Sequence, residues 1–119
     1  MKPILALCGL SFVLITGCAP EIGSFYWADY SSTLYDLKKE PGEKSLKAHK
    51  EQLLLIITDS PKKGRKIPPG IQAEYGYLLL REGKETEGWE YLEKEKTQYP
   101  ESMVFIQRLQ KTMERGKGK

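Results

Sequence analysis

The sequence is poor in the residues that most often build disulfides, metal sites and covalent catalytic centres. It has two cysteines and one histidine in 119 residues. Its eleven glycines show neither the Walker spacing nor the dinucleotide-binding spacing, and no serine lies in a nucleophile motif. A net charge of +3 gives no general reason to expect nucleic-acid binding. These absences argue against an enzyme, a metalloprotein and a nucleic-acid-binding protein.

Long apolar runs are also scarce, and the clearest one lies at the start of the chain. The run from Ile4 to Ile15 follows the positive charge of Lys2 and precedes Thr16-Gly17-Cys18. Such an order is typical of a secretory signal peptide, and the run is too short to span a bilayer stably. The cysteine after two small residues resembles a bacterial lipobox, in which the thiol is acylated and the chain is cut before it. An ordinary secretory signal with a chance cysteine is the alternative.

This pattern predicts a signal peptide over residues 1–17 and a mature chain whose first residue, Cys18, carries diacylglycerol and an N-acyl chain. No other cofactor is expected. Cys8 would be discarded and Cys18 consumed, so the mature chain would keep no free thiol. Ala19 stands where an inner-membrane retention signal would normally show Asp, which favours the periplasmic face of the outer membrane.

The apolar residues after the predicted anchor recur three and four apart, which is the spacing of helices. The pattern predicts an all-α fold of about five helices in antiparallel hairpins, with a lipidated tether over 18–25, a helical domain over 26–114 and a basic tail over 115–119. The predicted stripes are Trp27, Tyr30, Leu34 and Leu37; Leu46, Leu53, Ile56 and Ile57; Ile71, Tyr75, Leu78 and Leu79; Trp89, Leu92 and Lys96; and Phe105, Ile106, Leu109 and Met113. Pro41-Gly42 should end the first helix, and Asp59-Ser60-Pro61 the second.

Residues 69–102 come close to the 34-residue tetratricopeptide pattern. Gly76 and Gly88 would lie where two paired helices approach closely, and Gly83 would form the turn between them. Glu95 departs from the pattern because a small residue is expected there, which puts the packing of that helix in doubt. Whether the first helical pair is also a repeat stays open.

The single histidine, His49, lies on the apolar side of the predicted second helix. One histidine without a cysteine or a carboxylate at ligand spacing does not predict a metal site. General acid–base catalysis would need a partner that the sequence does not identify. We expect a packing role, with no catalytic and no metal-binding residue.

Two sets of residues are candidates for binding a partner. Several aromatic residues lie off the main stripes, and the inner helices of repeat stacks line a concave groove, so we expect such a groove to include Tyr35, Tyr77 and Leu80. The second set is a basic loop that could contact anionic lipid headgroups or an acidic protein: Lys62, Lys63, Arg65 and Lys66. Core packing of the aromatic residues and a solvated connector are the alternatives.

Three segments give the chain a resemblance to a known family: residues 30–35 (YSSTLY), 66–71 (KIPPGI) and 99–105 (YPESMVF). They resemble a family of small bacterial lipoproteins catalogued only as a domain of unknown function. The resemblance implies a lipid-anchored, tetratricopeptide-like protein, a companion of a curli-secretion-pore-like lipoprotein and a second small lipoprotein. It implies no catalytic residues.

These observations predict a non-catalytic adaptor of the bacterial envelope, held to the membrane by its lipid. The expected partners are other envelope lipoproteins, with no nucleic acid and no small-molecule substrate. A periplasmic lipoprotein that modulates a cell-wall synthase is the alternative.

Overall fold

The structure is a computed structural model that describes residues 25–118, so the predicted signal peptide and Cys18 lie outside the described residues. The described part of the chain is all-α, as predicted. It contains α1 (Tyr30–Lys39), α2 (Glu43–Lys62), α3 (Ile71–Arg81), α4 (Glu85–Gln98), a short 3₁₀ turn (Pro100–Ser102) and α5 (Met103–Lys117). Within residues 25–118, no helix is both long and apolar enough to cross a membrane.

Helix α3 is the centre of the domain, and hydrophobic clusters lie on both of its sides. The first cluster joins α2 to α3, and the second joins α3 to α4 and α5. The first contains Leu53, Ile56, Ile71, Tyr75 and Leu79, and the second contains Ala73, Leu80, Leu92 and Ile106. Because α3 is covered on both sides, it is the most apolar of the helices and the most deeply buried.

Helices α3 and α4 form an antiparallel hairpin with very close backbones at two glycines. A Cβ atom added to Gly76 would lie 2.7 Å from the carbonyl oxygen of Gly88, and one added to Gly88 would lie 2.7 Å from Cδ2 of Leu80. Gly83 makes the turn with φ +80°, a conformation that disfavours side chains. The predicted roles of all three glycines are confirmed.

Helix α1 is short and contributes no buried residue. It runs antiparallel to the first half of α2, because Thr33 is hydrogen-bonded to His49 and the amide of Asp29 to Gln52. Before α1 the chain passes through a turn at Ala28 and Asp29, and Phe25 forms a parallel bridge with Lys66, which follows α2. The first hairpin therefore relies on polar contacts and this bridge as well as on apolar packing.

Two predicted helix ends are wrong. The first helix begins at Tyr30 rather than near Tyr26, because Ala28 has φ 43° and breaks any earlier helix. The second helix continues through Pro61 to Lys62. A proline this close to a helix end removes one hydrogen bond and disturbs little, because almost no helix follows it.

The predicted stripes and tail also need correction. Leu46 and Phe105 were placed on buried stripes, but Leu46 is 37% exposed and Phe105 is 55% exposed. The buried side of α5 is formed instead by Ile106, Leu109 and Met113. Residues 115–117, predicted as part of a basic tail, lie in the last turn of α5.

Candidate functional site

His49 lies at the centre of a hydrogen-bonded network that joins the first three helices. Its side chain is fully buried. Its Nε2 is 2.9 Å from Oε1 of Glu74, and its Nδ1 is 2.9 Å from the hydroxyl oxygen of Thr33. The other carboxylate oxygen of Glu74 accepts a hydrogen bond of 2.9 Å from the hydroxyl of Tyr30. One carboxylate thus links α3 to both α1 and α2.

The network joins the ring of His49 to groups on two other helices. A carboxylate only accepts hydrogen bonds, so Nε2 of His49 donates to Glu74, and Nδ1 forms its hydrogen bond with the hydroxyl of Thr33. Burial, the hydrogen bond to Glu74 and the charge of Glu74 together raise the pKa of Tyr30 to about 12. Both ring nitrogens are already bonded within the protein, which is the arrangement of a packing histidine.

The sequence did not identify Glu74 as the partner of His49, since the two residues are 25 positions apart. A histidine–carboxylate pair can serve general acid–base catalysis, but only where a substrate can reach a ring nitrogen. Here the fully buried ring is enclosed by Tyr30, whose ring centroid lies 5.2 Å away. The described residues contain no group of His, Cys, Asp or Glu side chains that could hold a metal ion.

Glu95 is a buried carboxylate, and it caps the start of α3. Its Oε1 accepts a 2.7 Å hydrogen bond from the amide of Gly70, and its Oε2 accepts a 3.3 Å bond from the amide of Ala73. The first amides of a helix have no partner within it, and a negative charge is favoured there. The side chain of Glu95, the residue that departs from the repeat pattern, therefore fastens α4 to the start of α3.

An apolar groove lies beside this capped end, between α3 and α5. Its volume is about 510 Å³. The residues that define the groove are Pro69, Ala73, Tyr77, Tyr99 and Phe105. The hydroxyl of Tyr99 is held by a 2.6 Å hydrogen bond to the carbonyl oxygen of Ile67, which fixes one wall. The carboxylates of Glu74, Glu95 and Glu101 also line the groove.

The apolar surface continues from the groove onto the first turn of α5. Met103, Val104 and Phe105 are 45%, 54% and 55% exposed. Three consecutive large apolar residues exposed at a helix start are unusual on a solvated helix, which normally keeps an apolar stripe on one side only. The arrangement can accept an apolar side chain of a partner more readily than a polar substrate.

The three residues that were predicted to line one groove lie in three different environments. Tyr77 lines it and is 37% exposed. Tyr35 is 64% exposed on α1 but is not among the lining residues. Leu80 is 4% exposed in the second cluster, where the missing side chain of Gly88 leaves space for it. The prediction for Leu80 is wrong for that reason. Phe105 was missed because it was assigned to the buried stripe of α5.

The predicted basic residues lie together at one end of the domain and next to the first described residues. Lys62 is the last residue of α2 and pairs with Asp59 at 2.9 Å. That hydrogen bond is the main cause of a lowered pKa for Asp59. Lys63, Arg65 and Lys66 follow in an exposed turn.

Two of three comparisons with known proteins gave no match: no curated protein and no solved structure is significantly similar to the chain. The third found a family model described as "Domain of unknown function (DUF4810)", which matches residues 24–109 and so includes α1 to α4 and the first part of α5. By this match over most of its length, the chain belongs to the DUF4810 family, a domain of unknown function.

Proposed function

We propose that this protein is a non-catalytic, lipid-anchored adaptor of the bacterial envelope that holds the apolar face of a helix from another envelope lipoprotein. The observation that carries the proposal is the groove between α3 and α5, with its exposed aromatic wall. Tyr77 and Phe105 face a volume of about 510 Å³. A groove of this kind suits a helix that inserts apolar side chains spaced three and four residues apart.

The groove has the features of a binding surface with a fixed shape. Aromatic residues contribute strongly to interfaces because they bury a large area with few rotatable bonds. Gly70 and Ala73 form part of the groove lining, and the bond between Glu95 and their amides holds this part in place. A partner would therefore meet a preformed surface and lose little free energy in ordering it.

The anchor is supported by the sequence alone. A positive residue, a short apolar run and small residues before Cys18 agree with a lipoprotein signal. Two or more acyl chains are needed for stable attachment, since one chain binds a membrane only marginally. We place the protein at the periplasmic face of the outer membrane, in a tetratricopeptide-like arrangement with lipoprotein companions.

Co-purification from detergent-solubilised envelopes tests the adaptor role. The full-length protein carries a C-terminal tag and is compared with Phe105→Ser, followed by mass spectrometry after cross-linking in intact cells. Phe105 is more than half exposed, so its replacement should leave the fold intact. We expect an envelope lipoprotein that is recovered with the native protein and lost with Phe105→Ser.

Tyr35→Ser is the matched control, because it removes another exposed aromatic side chain outside the groove. It should recover the same lipoprotein as the native chain. Recovery of cell-wall synthases in place of lipoproteins would replace the adaptor role with the modulator role. If no protein depends on Phe105, the groove is not a binding surface and the proposal fails.

A further inference from the structure

Four positive side chains lie where the described chain begins, and we name Lys62, Lys63, Arg65 and Lys66 the basic end. Three separate contacts hold them there. Lys66 forms the parallel bridge with Phe25, and Arg65 Nη1 donates a 3.4 Å hydrogen bond to the carbonyl oxygen of Phe25. The Nζ atom of Lys63 lies 4.9 Å from the ring centroid of Tyr26. The fold therefore fixes the basic end to the start of the domain.

Most of this positive charge is available to a binding partner. Within residues 25–118, Lys62 alone of the four has an ion-pair partner, Asp59, and it is still 72% exposed. Among residues 25–118, no carboxylate lies within ion-pair distance of Lys63, Arg65 or Lys66. A cluster of exposed, uncompensated positive charges attracts a surface of negative charge.

The opposite end of the domain has a different charge pattern. There, Glu82 binds both Lys50 and Lys84, and Glu85 binds Lys117. The hydrogen bond from Lys50 is the main cause of a lowered pKa for Glu82. Lys50, Lys84 and Lys117 are thus paired with carboxylates at that end, and Asp36, Glu40 and Glu43 lie near its other lysines. Carboxylates therefore balance the positive charge more closely there than at the basic end.

The proposed anchor would attach at the basic end. Cys18 lies seven residues before Phe25, and a chain of that length reaches at most about 25 Å when fully extended. Helix α2 has 20 residues, so the opposite end lies about 30 Å farther along the helix axis. Of the two ends, only the basic one is kept close to the bilayer by such a tether.

We propose that the basic end binds the anionic phospholipid headgroups of the membrane that holds the anchor, and so orients the domain with its helix axes away from the bilayer. This inference rests on the proposed acylation of Cys18 for its geometry. A juxtamembrane cluster of lysines and arginines is attracted by anionic lipids within about one Debye length, roughly 8 Å at physiological salt. The acyl chains supply the attachment and the basic end supplies the orientation.

Vesicle binding by the unacylated protein tests the electrostatic contact. The chain from residue 18 with Cys18→Ser retains both hydrophobic clusters. It is mixed with vesicles of phosphatidylglycerol and phosphatidylcholine, or of phosphatidylcholine alone, and sedimented at low salt. Replacing all four basic-end residues by Gln should weaken binding to the anionic vesicles about 600-fold, because each charge near such a surface strengthens binding about fivefold.

A matched variant separates position from net charge. Lys38, Lys39, Lys44 and Lys47 are exposed on α1 and α2 towards the opposite end, and replacing them by Gln removes the same four charges. This control should bind anionic vesicles nearly as the unsubstituted chain does. Equal losses in both variants would overturn the proposal, and so would equal binding by all three proteins. If the basic-end variant keeps vesicle binding but loses a co-purified protein, the surface binds an acidic protein instead.

The orientation is tested on the acylated protein in the same anionic vesicles. A single fluorophore is attached to Pro61→Cys beside the basic end, or to Glu40→Cys at the opposite end, and quenched by brominated lipid. We expect quenching at residue 61 and little at residue 40, and similar quenching at both positions would overturn the orientation. Failure of Cys18 to be acylated would refute the anchor and leave the vesicle result standing, so the two failures are distinguishable.

Discussion

The two helical hairpins are held together by different physical means. Helices α3 and α4 meet backbone to backbone, because Gly76 and Gly88 leave no side chain between them. Helices α1 and α2 are joined through a histidine, a threonine and a carboxylate supplied by α3. The first arrangement depends on the absence of side chains at two glycines, and a side chain added at either one would push the helices apart. The second depends on particular polar groups, and it loses free energy when one of them is removed.

The comparison also explains why the groove is beside the second hairpin. The side chain of Glu95 fixes the start of α3, and the glycine contact fixes its middle, so the groove wall at Tyr77 has a rigid support. Helix α1 has no buried residue and is joined to α3 by the bond from Tyr30 to Glu74. We expect α1 to open more readily than α3, because few apolar contacts oppose its opening.

The largest effect should come from filling the space between α3 and α4. Gly76→Val adds three carbon atoms where even a Cβ would lie 2.7 Å from the carbonyl oxygen of Gly88. Because that neighbour is backbone, the helices must separate, and we expect a loss of about 3 kcal/mol in the free energy of unfolding. Urea denaturation followed by circular dichroism measures this loss.

Gly116→Ala is the control for this substitution. Gly116 is also helical, but a Cβ there would meet nothing within 4 Å. The replacement should stabilise the protein by up to about 1 kcal/mol, because glycine is a poor helix former. An unchanged midpoint for Gly76→Val would show that the backbones are not in close contact.

A smaller loss should follow from changing the carboxylate that fastens α4 to α3. Glu95→Gln keeps the shape of the side chain but replaces one accepting oxygen with an NH2 group. That group is a donor, and it would face the backbone amide of Gly70 or Ala73, which is also a donor. Hydrogen bonds to a charged group contribute about 1.5–3 kcal/mol each, so we expect a loss of about 2 kcal/mol in a urea titration at neutral pH.

The matched control for Glu95→Gln is Glu93→Gln on the same helix. Glu93 is 58% exposed and pairs with Lys96 three residues later. Exposed pairs of this kind contribute less than about 1 kcal/mol, so its replacement should change stability little. If both variants behave alike, the cap on α3 does not stabilise the domain.

The smallest of the stability effects concerns the first hairpin. Tyr30→Phe removes the hydroxyl that donates to Glu74, and we expect a loss of about 1 kcal/mol at neutral pH. Amide exchange should also become faster in α1, with little change in α4. Tyr35→Phe, at a tyrosine 64% exposed, is the control and should alter neither quantity.

The same substitution has a predicted pH dependence. The pKa of Tyr30 is raised from 10.0 to about 12 in the folded protein. The unfolded chain therefore releases this proton first, and the stability contributed by Tyr30 is complete below pH 10 and declines as the pH rises towards 12. The native protein should lose more stability over this interval than Tyr30→Phe does. Parallel pH curves for the two proteins would contradict the buried network.

The helices and the glycine contacts could be predicted because they depend on local spacing. An apolar residue every three or four positions predicts a helix, and Gly76, Gly83 and Gly88 fit one helix-turn-helix pattern. The helix ends at Tyr30 and Lys62 were misplaced, since boundaries depend on single residues whose effect the tertiary context can override.

The polar contacts could not be predicted from the sequence because they join distant positions. His49 and Glu74, and Glu95 and Gly70, are each 25 residues apart. The burial of Leu80, which was assigned to the groove, could not be predicted either. It depends on the space left by Gly88 on another helix. The bridge that brings Phe25 to the basic end likewise has no local signal, since the two segments are separated by two helices.

Both proposals depend on an acylated Cys18, and metabolic labelling detects that modification itself. Cells producing the full-length native protein or Cys18→Ser are fed labelled palmitate, and their membranes are washed with high salt to release proteins bound only by charge. We expect label in the native protein, recovered in the outer-membrane fraction, and no label in Cys18→Ser, whichever fraction that uncut variant enters. A native protein without label, or equal labelling of the variant, would show that Cys18 is not the site of acylation.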